Sequence, residues 1–201
     1  MTTLAEQARR LKAPRRGLPH LWLVTDSQRL PDPLPAARRL PSGSGIILRH
    51  YDDPGRLALA RQLRRIAAQR RLVLLLAGPP PAGLAAGADG AHLAEARTRY
   101  WRRPRRGFRV TCAAHSLPAL RRAERAGADA VLLSPAFPTA SHPNARTLGP
   151  LRLAALCRQA RLPVIALGGI DARGARRLAG ARLAGLAAIA GLAIASRAHG
   201  N

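Results

Sequence analysis

The sequence contains few cysteines, few aromatic residues and few acids. Its two cysteines, Cys112 and Cys157, lie far apart among 201 residues and form neither a CxxC metal motif nor a disulfide framework. We therefore expect the chain to work in the reduced cytoplasm. Phe, Trp and Tyr make up only 3% of the residues, whereas the apolar fraction is 47%. A single globular domain is predicted, with a core built from Leu, Ala, Val and Ile.

Long hydrophobic runs are also missing. No window has the length of apolar sequence that a membrane-spanning helix needs, so we expect no membrane partner. The first residues are basic but include no hydrophobic segment, which argues against a secretory signal. We assign residues 1–18 to an N-terminal extension, either a helix or a loose arm, and residues 19–201 to one domain.

The scarcity of acids leaves a net charge of +24 at pH 7. Lys12 is the only lysine, so nearly all of the positive charge is arginine, spread over one predicted helix after another. A nucleic-acid site more often concentrates basic residues with interleaved aromatic residues, and only residues 100–106, YWRRPRR, show that pattern. We expect a solvated surface that binds polyanions without specificity, and no specific nucleic-acid partner.

Eight short apolar runs alternate with helical or loop segments along the chain. They comprise residues 20–26, 46–51, 72–76, 90–94, 108–114, 130–134, 164–167 and 185–189. This alternation predicts βα units and a parallel sheet, and eight units close a (β/α)8 TIM barrel. An open doubly wound sheet is the second choice, because Thr25-Asp26-Ser27 stands where that fold carries its glycine fingerprint.

Helix signals between these runs support the assignment. One apolar stripe follows the second run, formed by Leu59, Leu63, Ile66 and Ala67. After the fifth run, Ser116 is a candidate N-cap and Gly127 a candidate stop for one helix. Asp89 and His92 flank the start of the fourth run, and we expect them to fix its turn rather than to do chemistry.

A barrel places its functional site at the carboxyl ends of the strands. At the end of the seventh run, Gly168 and Gly169 precede the start of a helix at Asp171. Backbone N–H groups at such a turn can bind a phosphate, and the small residues Ala190 and Gly191 after the eighth run fit the same role. A double glycine also occurs in ordinary tight turns, and that alternative stays open.

His115 is the candidate catalytic residue. It ends the fifth run, where strand alternation places it on the same face as Thr111 and Ala113. Imidazole titrates near neutral pH and can move a proton on a bound heterocycle. The alternative is that His115 only caps the helix that starts at Ser116.

Arg49, at the end of the second run, is a candidate ligand for phosphate or pyrophosphate. Its alternative role is an ion pair at the rim of the barrel with Asp26, Asp52 or Asp53. The long loop after the sixth run contributes two candidate hydroxyls, Thr139 and Ser141, on a segment long enough to form a lid. An ordinary exposed turn is the alternative for this loop.

Several segments together resemble a known family. They are LVTD (23–26), ILRH (47–50), GADGAHL (87–93), AAHSLPAL (113–120), AGADAVLLSPAFPTAS (126–141), LGP (148–150) and PVIALGGI (163–170). In this order they resemble the thiamin-phosphate synthases and the related TenI-type thiazole tautomerases. The resemblance extends over residues 21–191 and implies a TIM barrel that holds a thiazole phosphate at the glycine turn.

The synthases of this family join a pyrimidine pyrophosphate to the thiazole phosphate and use Mg²⁺ to carry away pyrophosphate. This sequence departs from their pattern at most positions that serve the metal and the pyrophosphate. The substituted positions are Ile47, Tyr51, Ala77, Gly78, Ala96, Ala113, His142 and Ala190, while Arg49 is kept. Because Mg²⁺ prefers oxygen ligands that include carboxylates, the resemblance implies a retained phosphate seat without the metal half of the site.

From this comparison, the leading hypothesis is a TenI-like proton transfer by His115 that needs no cofactor. The first alternative is a synthase whose Mg²⁺ is held differently, through Glu95 and Asp26. The second is a regulatory barrel that binds a phosphate ester without catalysis. In each case the expected partner is a small phosphorylated thiazole or pyrimidine, and the sequence leaves open whether the chain forms a homo-oligomer.

Overall fold

The computed structural model describes residues 3–11, 17–99, 101–139, 146–189 and 192. Eight parallel strands follow one another in chain order, and β8 pairs with β1 to close the barrel. The strands are β1 (Leu21–Val24), β2 (Gly45–Leu48), β3 (Val73–Ala77), β4 (Gly90–Leu93), β5 (Arg109–Ala114), β6 (Ala130–Leu133), β7 (Val164–Leu167) and β8 (Gly185–Ala188). The predicted TIM barrel is confirmed, and the open-sheet alternative is wrong.

Helices cover the outside of the barrel. They are α1 (Leu4–Arg9), α2 (Leu34–Arg39), α3 (Arg56–Arg70), α4 (Pro80–Ala85), α5 (Leu117–Arg125), α6 (Gly149–Gln159) and α7 (Ala172–Arg177). Between β4 and β5 the described residues form only a 3₁₀ turn, Glu95–Arg97, followed by irregular chain. The sequence after the eighth apolar run predicts a last helix, and that segment lies outside the described residues apart from residue 192.

Strand alternation divides the core into two layers. Trp22, Ile47 and Leu75 point into the barrel, whereas their neighbours point outward against the helices. Trp22 is fully buried and donates its indole N–H to the carbonyl of Pro19 at 2.7 Å. The ring lies against Gly45 of β2, where any Cβ would overlap it. One large aromatic side chain therefore fills much of the barrel interior beside aliphatic residues such as Ile47 and Leu75.

The N-terminal extension includes a short helix that packs on the barrel. In α1 the hydroxyl of Thr3 accepts from the N–H of Glu6, and the Glu6 carboxylate accepts from the N–H of Thr3. This capping box starts the helix. Leu4 and Ala8 are buried in the core between helices and strands. Among the described residues, no helix is long and apolar enough to cross a membrane.

The helix signals of the sequence are largely confirmed. Ser116 caps α5 by accepting from the N–H of Ala119, and Gly127 follows the helix with φ of 74°. In α3 the buried positions are Ala60, Leu63, Ile66 and Ala67, whereas Leu59 is only partly buried. The buried stripe thus begins one residue later than predicted.

Two aspartates hold equivalent turns at the amino ends of strands. Asp89 accepts from the N–H of Leu74 at 2.9 Å and pairs with Arg64 at 3.2 Å. Asp129 likewise accepts from the N–H of Val110 at 2.7 Å. Since each carboxylate joins its own turn to the neighbouring strand, the prediction that Asp89 fixes a turn is confirmed. Both turns lie on the face of the barrel opposite the expected site.

Candidate functional site

The predicted site residues lie on the carboxyl ends of several strands. Arg49 follows β2, His115 follows β5 and the glycine pair follows β7, while Thr139 lies in the loop after β6. Ser141, Ala190 and Gly191 lie outside the described residues, so their predicted roles stay predictions. The barrel thus places the described candidates on one face of the molecule.

A cavity of about 220 Å³ lies at the turn after β7. Gly168, Gly169 and Thr139, three of the residues predicted to bind phosphate, line it together. Arg29, from the loop after β1, also lines it and brings a guanidinium group to this side of the barrel. Sequence reasoning missed Arg29, because nothing in the surrounding loop relates residue 29 to a turn almost 140 residues away in sequence.

Packing against the loop after β6 requires both glycines. Their φ angles are 98° for Gly168 and 62° for Gly169, in the region that side chains with a Cβ rarely adopt. A Cβ on Gly168 would lie 2.9 Å from Cα of Pro135, and one on Gly169 would lie 2.9 Å from the carbonyl oxygen of Phe137. Packing alone therefore requires glycine at both positions, whether or not a ligand binds at the turn.

Backbone hydrogen bonds join this turn to the same loop. The N–H of Ala136 donates to the carbonyl of Leu167 at 2.8 Å, and the N–H of Phe137 donates to the carbonyl of Gly168 at 3.0 Å. These bonds use carbonyl oxygens of the turn and do not consume its N–H groups. Asp171 caps α7 by accepting from the N–H of Gly174 at 2.6 Å. The turn is thus held between the loop after β6 and the start of α7.

His115 is exposed and has a fixed ring orientation. Its Nδ1 lies 2.8 Å from the carbonyl oxygen of Ser134, which can only accept a hydrogen bond. Nδ1 therefore carries the proton, and Nε2 is left with the lone pair that a base needs. Because Ser116 and not His115 caps α5, the alternative role of His115 as a helix cap is wrong.

Glu95 holds the backbone at His115. One of its carboxylate oxygens accepts from the N–H of His115 at 3.1 Å, and the other pairs with Arg122 of α5 at 2.5 Å. The side chain therefore connects the turn after β4 with the turn after β5. Sequence reasoning named Glu95 only as a substitute metal ligand, since a contact across two turns leaves no local signal.

Arg49 forms the ion pair that was the alternative to ligand binding. Its Nη2 lies 3.4 Å from Oδ2 of Asp26, while the other oxygen of Asp26 accepts from the N–H of Gln28 and Arg29. The Nε atom of Arg49 is buried and has no hydrogen-bond partner among the described residues. The Arg49 side chain is 28% exposed, so its guanidinium can still meet a ligand, although Asp26 balances part of its charge.

A buried Thr–His pair places Arg49. The Nε2 of His50 lies 3.3 Å from the carbonyl of Pro31, so it carries the proton and Nδ1 is the acceptor. Thr25 then donates to Nδ1 of His50 at 2.9 Å, and its oxygen accepts from the N–H of Arg49 at 3.0 Å. The chain of hydrogen bonds joins the ends of β1 and β2.

His92 lies inside the barrel and does not fix its turn, contrary to the expectation from sequence. Its Nδ1 lies 2.9 Å from the hydroxyl oxygen of Thr111 on the neighbouring strand. Burial, with a further contribution from the positive charge of Arg49, lowers the pKa of His92 to about 3. The imidazole is therefore neutral at physiological pH. With Thr111, it forms a polar pair inside the barrel near Arg49.

The described residues do not fit a carboxylate-held magnesium ion. Ala77 and Gly78 follow β3 and Ala96 follows β4, so none of these positions supplies a charged oxygen ligand. Glu95 and Asp26, proposed as substitutes, are engaged with Arg122 and Arg49 on separate sides of the barrel. No group of three or more His, Cys, Asp or Glu among the described residues is arranged to hold a metal.

A second cavity, of about 660 Å³, opens beside the ends of β2, β3 and β4. Its lining includes Tyr51, Arg56, Arg97 and Trp101. Arg56 reaches from the start of α3 to donate to the carbonyl of Ala77. The sequence predicted neither this cavity nor the position of Trp101, because the segment between β4 and β5 lacks the periodicity that would place its side chains.

The sequence matches known proteins over most of its length. A family model described as thiamine monophosphate synthase matches residues 21–192. The "Putative thiamine-phosphate synthase 2" of Aquifex aeolicus is 34% identical over 160 residues, which cover 76% of this chain and 86% of that protein. The thiamine-phosphate synthase of Chlorobium limicola is 31% identical over 189 residues, covering 89% and 88% of the two chains.

Solved structures give the same result for the fold. A thiamine phosphate pyrophosphorylase from Pyrococcus furiosus superposes with a TM-score of 0.72 at 25% identity, covering 88% of this chain and 87% of that one. FabK from Thermotoga maritima superposes with a TM-score of 0.67 at 18% identity, covering 96% of this chain and 62% of that one. The likeness to FabK shows the shared barrel alone.

Proposed function

Because this chain belongs to the thiamine monophosphate synthase family, we propose that it joins a pyrimidine pyrophosphate to a thiazole phosphate. The products are thiamine phosphate and pyrophosphate. The match to the family over residues 21–192 carries this proposal, and the synthase names of its relatives support it. The TenI-like reaction, expected first from the sequence, has no such support and becomes the second candidate.

The cavity after β7 is the proposed seat of the thiazole phosphate. Gly168 and Gly169 allow the phosphate to approach the backbone closely, and Thr139 and Arg29 line the same cavity. Guanidinium groups suit phosphate oxygens through paired N–H donors. This seat would hold the thiazole so that its ring nitrogen faces the second substrate over the barrel mouth.

The reaction breaks the bond between the pyrimidine methylene carbon and the pyrophosphate oxygen. A new bond forms between that carbon and the thiazole nitrogen, and pyrophosphate leaves with both bonding electrons. Positive groups near the departing oxygens lower the barrier because they stabilise the developing charge. Arg49 is a partly exposed arginine at the end of β2, so we assign it to this task as one of the positive groups around the leaving pyrophosphate.

His115 favours a second candidate, metal-free proton transfer on a thiazole. Its Nδ1–H is held by the carbonyl of Ser134, so Nε2 is available as a base. Such a reaction isomerises the thiazole ring and needs no pyrophosphate subsite. The exposed ring of His115 on the barrel mouth is the observation that supports it.

One assay separates these functions. Purified protein is incubated with thiazole phosphate and the pyrimidine pyrophosphate, with and without Mg²⁺, and thiamine phosphate and pyrophosphate are quantified by chromatography. Equal amounts of both products establish the synthase. If neither forms, nuclear magnetic resonance of a thiazole carboxylate phosphate tests the proton transfer, which His115→Ala should abolish. Binding of thiazole phosphate without either reaction would indicate a regulatory barrel.

A further inference from the structure

The cavity beside β2, β3 and β4 carries two buried donors without acceptors. Nε of Arg56 and Nε1 of Trp101 are both inaccessible to solvent and have no hydrogen-bond partner among the described residues. Each group can only donate a hydrogen bond. Leaving such a donor unpaired in the interior is unfavourable, by roughly 1–3 kcal/mol for each group. Both side chains line the cavity, and these two nitrogen atoms lie beneath its surface.

The charge in the cavity has one sign. Arg56 and Arg97 line it, and no aspartate or glutamate is among its described lining residues. Burial lowers the pKa of Arg56, as expected for a cation taken out of water, although Coulombic interactions with Tyr51 and Asp52 partly oppose that shift. An arginine still keeps its charge at neutral pH. A lining that carries two guanidinium groups and no carboxylate is best suited to an anion.

The walls of the cavity are flat and apolar. Trp101 and Tyr51 contribute rings, and Pro79, Pro80 and Leu93 add apolar surface. The guanidinium of Arg56 lies 5.4 Å from the centre of the Tyr51 ring, which holds it in place by a cation–π contact. A planar ring attached to an anionic group would use both parts of this surface.

We propose that this cavity binds the pyrophosphate ester of a planar ring directly through Arg56, Arg97 and Trp101, without a bridging divalent cation. This inference rests on the proposed synthase function, for which the ester is the second substrate. It also explains how a member of a family whose synthases use Mg²⁺ could bind pyrophosphate although its described residues do not fit a carboxylate-held magnesium ion. Where the described residues lack carboxylates to hold a metal, guanidinium groups supply the positive charge that a leaving pyrophosphate needs.

Tryptophan fluorescence of the full chain can test this proposal. The protein has two tryptophans, and Trp22 is fully buried within the barrel, so a change on ligand addition reports Trp101. The protein is titrated with inorganic pyrophosphate twice, once with a chelator and once with Mg²⁺ present. The emission should change in both titrations, and the two midpoints should be the same. Trp101→Phe should lose the signal, with binding then followed by calorimetry.

Arginine variants locate the bound anion. Arg56→Gln and Arg97→Gln should each weaken pyrophosphate binding by about tenfold or more, as for a lost hydrogen bond to a charged group. Arg61→Gln is the matched control, because Arg61 is an exposed arginine on α3 that does not line the cavity. The pyrimidine pyrophosphate should lose more affinity than inorganic pyrophosphate in Trp101→Ala, since only the ester carries a ring.

Two results would overturn the proposal. One is pyrophosphate binding, by fluorescence or calorimetry, only when Mg²⁺ is present. The other is equal affinity in Arg56→Gln, Arg97→Gln and Arg61→Gln. Formation of thiamine phosphate is measured separately, so the two claims can fail independently. Metal-free pyrophosphate binding without thiamine phosphate formation would contradict the synthase function and support the site. Thiamine phosphate formation, together with unchanged pyrophosphate affinity in the arginine variants, would support the synthase function and contradict the site.

Discussion

The carboxylate of Glu95 accepts a hydrogen bond from the backbone N–H of His115 at 3.1 Å. Its second oxygen pairs with Arg122 at 2.5 Å, so both oxygens are engaged within the protein. The acidic residue nearest to the missing metal-ligand positions therefore serves to hold the candidate base. This relationship separates two roles for Glu95, anchoring and metal binding, that the sequence alone did not distinguish.

Replacement of Glu95 tests the two roles. Glu95→Ala should lower the free energy of unfolding by about 1 kcal/mol, because a partly exposed ion pair and one hydrogen bond are lost. Glu95→Gln keeps an acceptor for the His115 N–H and should lose less. Urea unfolding measures both. A response of Glu95→Gln activity to Mg²⁺ that differs from that of the parent protein would instead indicate a metal ligand.

Thr25 is predicted to matter through its hydroxyl alone. Thr25→Val preserves the shape but leaves Nδ1 of His50 and the N–H of Arg49 without their buried partner. We expect a loss of about 2 kcal/mol in the free energy of unfolding, the typical cost of unpaired buried polar groups. Thr25→Ser keeps the hydroxyl and is the control. Equal stability of the Val and Ser variants would show that the hydrogen-bond chain contributes nothing.

Gly169 is predicted to tolerate no side chain. Gly169→Ala combines a φ of 62° with overlap against the loop after β6, so it should cost about 1–3 kcal/mol of stability. Gly180→Ala is the control, since a Cβ there meets nothing within 4 Å. Thermal unfolding compares the two variants. If Gly169→Ala were as stable as Gly180→Ala, the turn would not depend on close packing.

Gly169 also offers a test of ligand binding. Displacement of the loop after β6 would distort the cavity at the turn, so thiazole phosphate should bind Gly169→Ala more weakly than it binds Gly180→Ala. Calorimetry at a temperature where both variants remain folded measures this difference. Unchanged affinity in Gly169→Ala would place the phosphate elsewhere on the barrel.

The two cysteines are predicted to be chemically inert in the folded protein. Burial raises the pKa of Cys112 to about 11 and that of Cys157 to about 12, so almost no thiolate is present near neutral pH. A coloured disulfide reagent should label both thiols in urea and neither, on a timescale of minutes, in buffer. Rapid labelling of one thiol before unfolding would show that its strand or helix opens locally.

The barrel could be predicted because its signal is repeated eight times. Each apolar run, such as residues 164–167, carries its own evidence of a buried strand, and the fold follows from their number and order. The turn at Gly168 was predictable for the same reason, since it is local in sequence. Contacts such as Arg29 at that turn were not, because they depend on how distant loops meet in space.

Polar residues inside the barrel were harder to assign than apolar ones. Strand alternation can assign the His92 side chain to one face of the sheet. It does not predict that the imidazole meets the hydroxyl of Thr111 on the neighbouring strand. The cavity at Trp101 was missed because the segment between β4 and β5 has no helical period to orient it. In both cases the decisive partner lies on another element, so the sequence around the residue does not specify its environment.

His92 should make the protein sensitive to acid. Its pKa is about 3 in the folded state against about 6.5 for an unperturbed histidine. Between these values the unfolded chain binds one proton more than the folded chain, so stability falls as pH drops below about 6.5 and is fully retained above it. The expected slope from this group is about 1.4 kcal/mol per pH unit well below 6.5.

The variant His92→Gln isolates this contribution. Urea unfolding at pH 7 and pH 5 should show a smaller loss of stability on acidification in His92→Gln than in the parent protein, even if the variant is less stable at both values. His20→Gln is the control, because that histidine precedes β1 and its ring bonds the carbonyl of Ala184, a partly buried contact. Parallel losses in the parent and His92→Gln would mean that His92 takes up its proton in the folded state. Its position against Thr111 and beside the charge of Arg49 would then have to open at pH 5, since a buried imidazolium next to a guanidinium is strongly disfavoured.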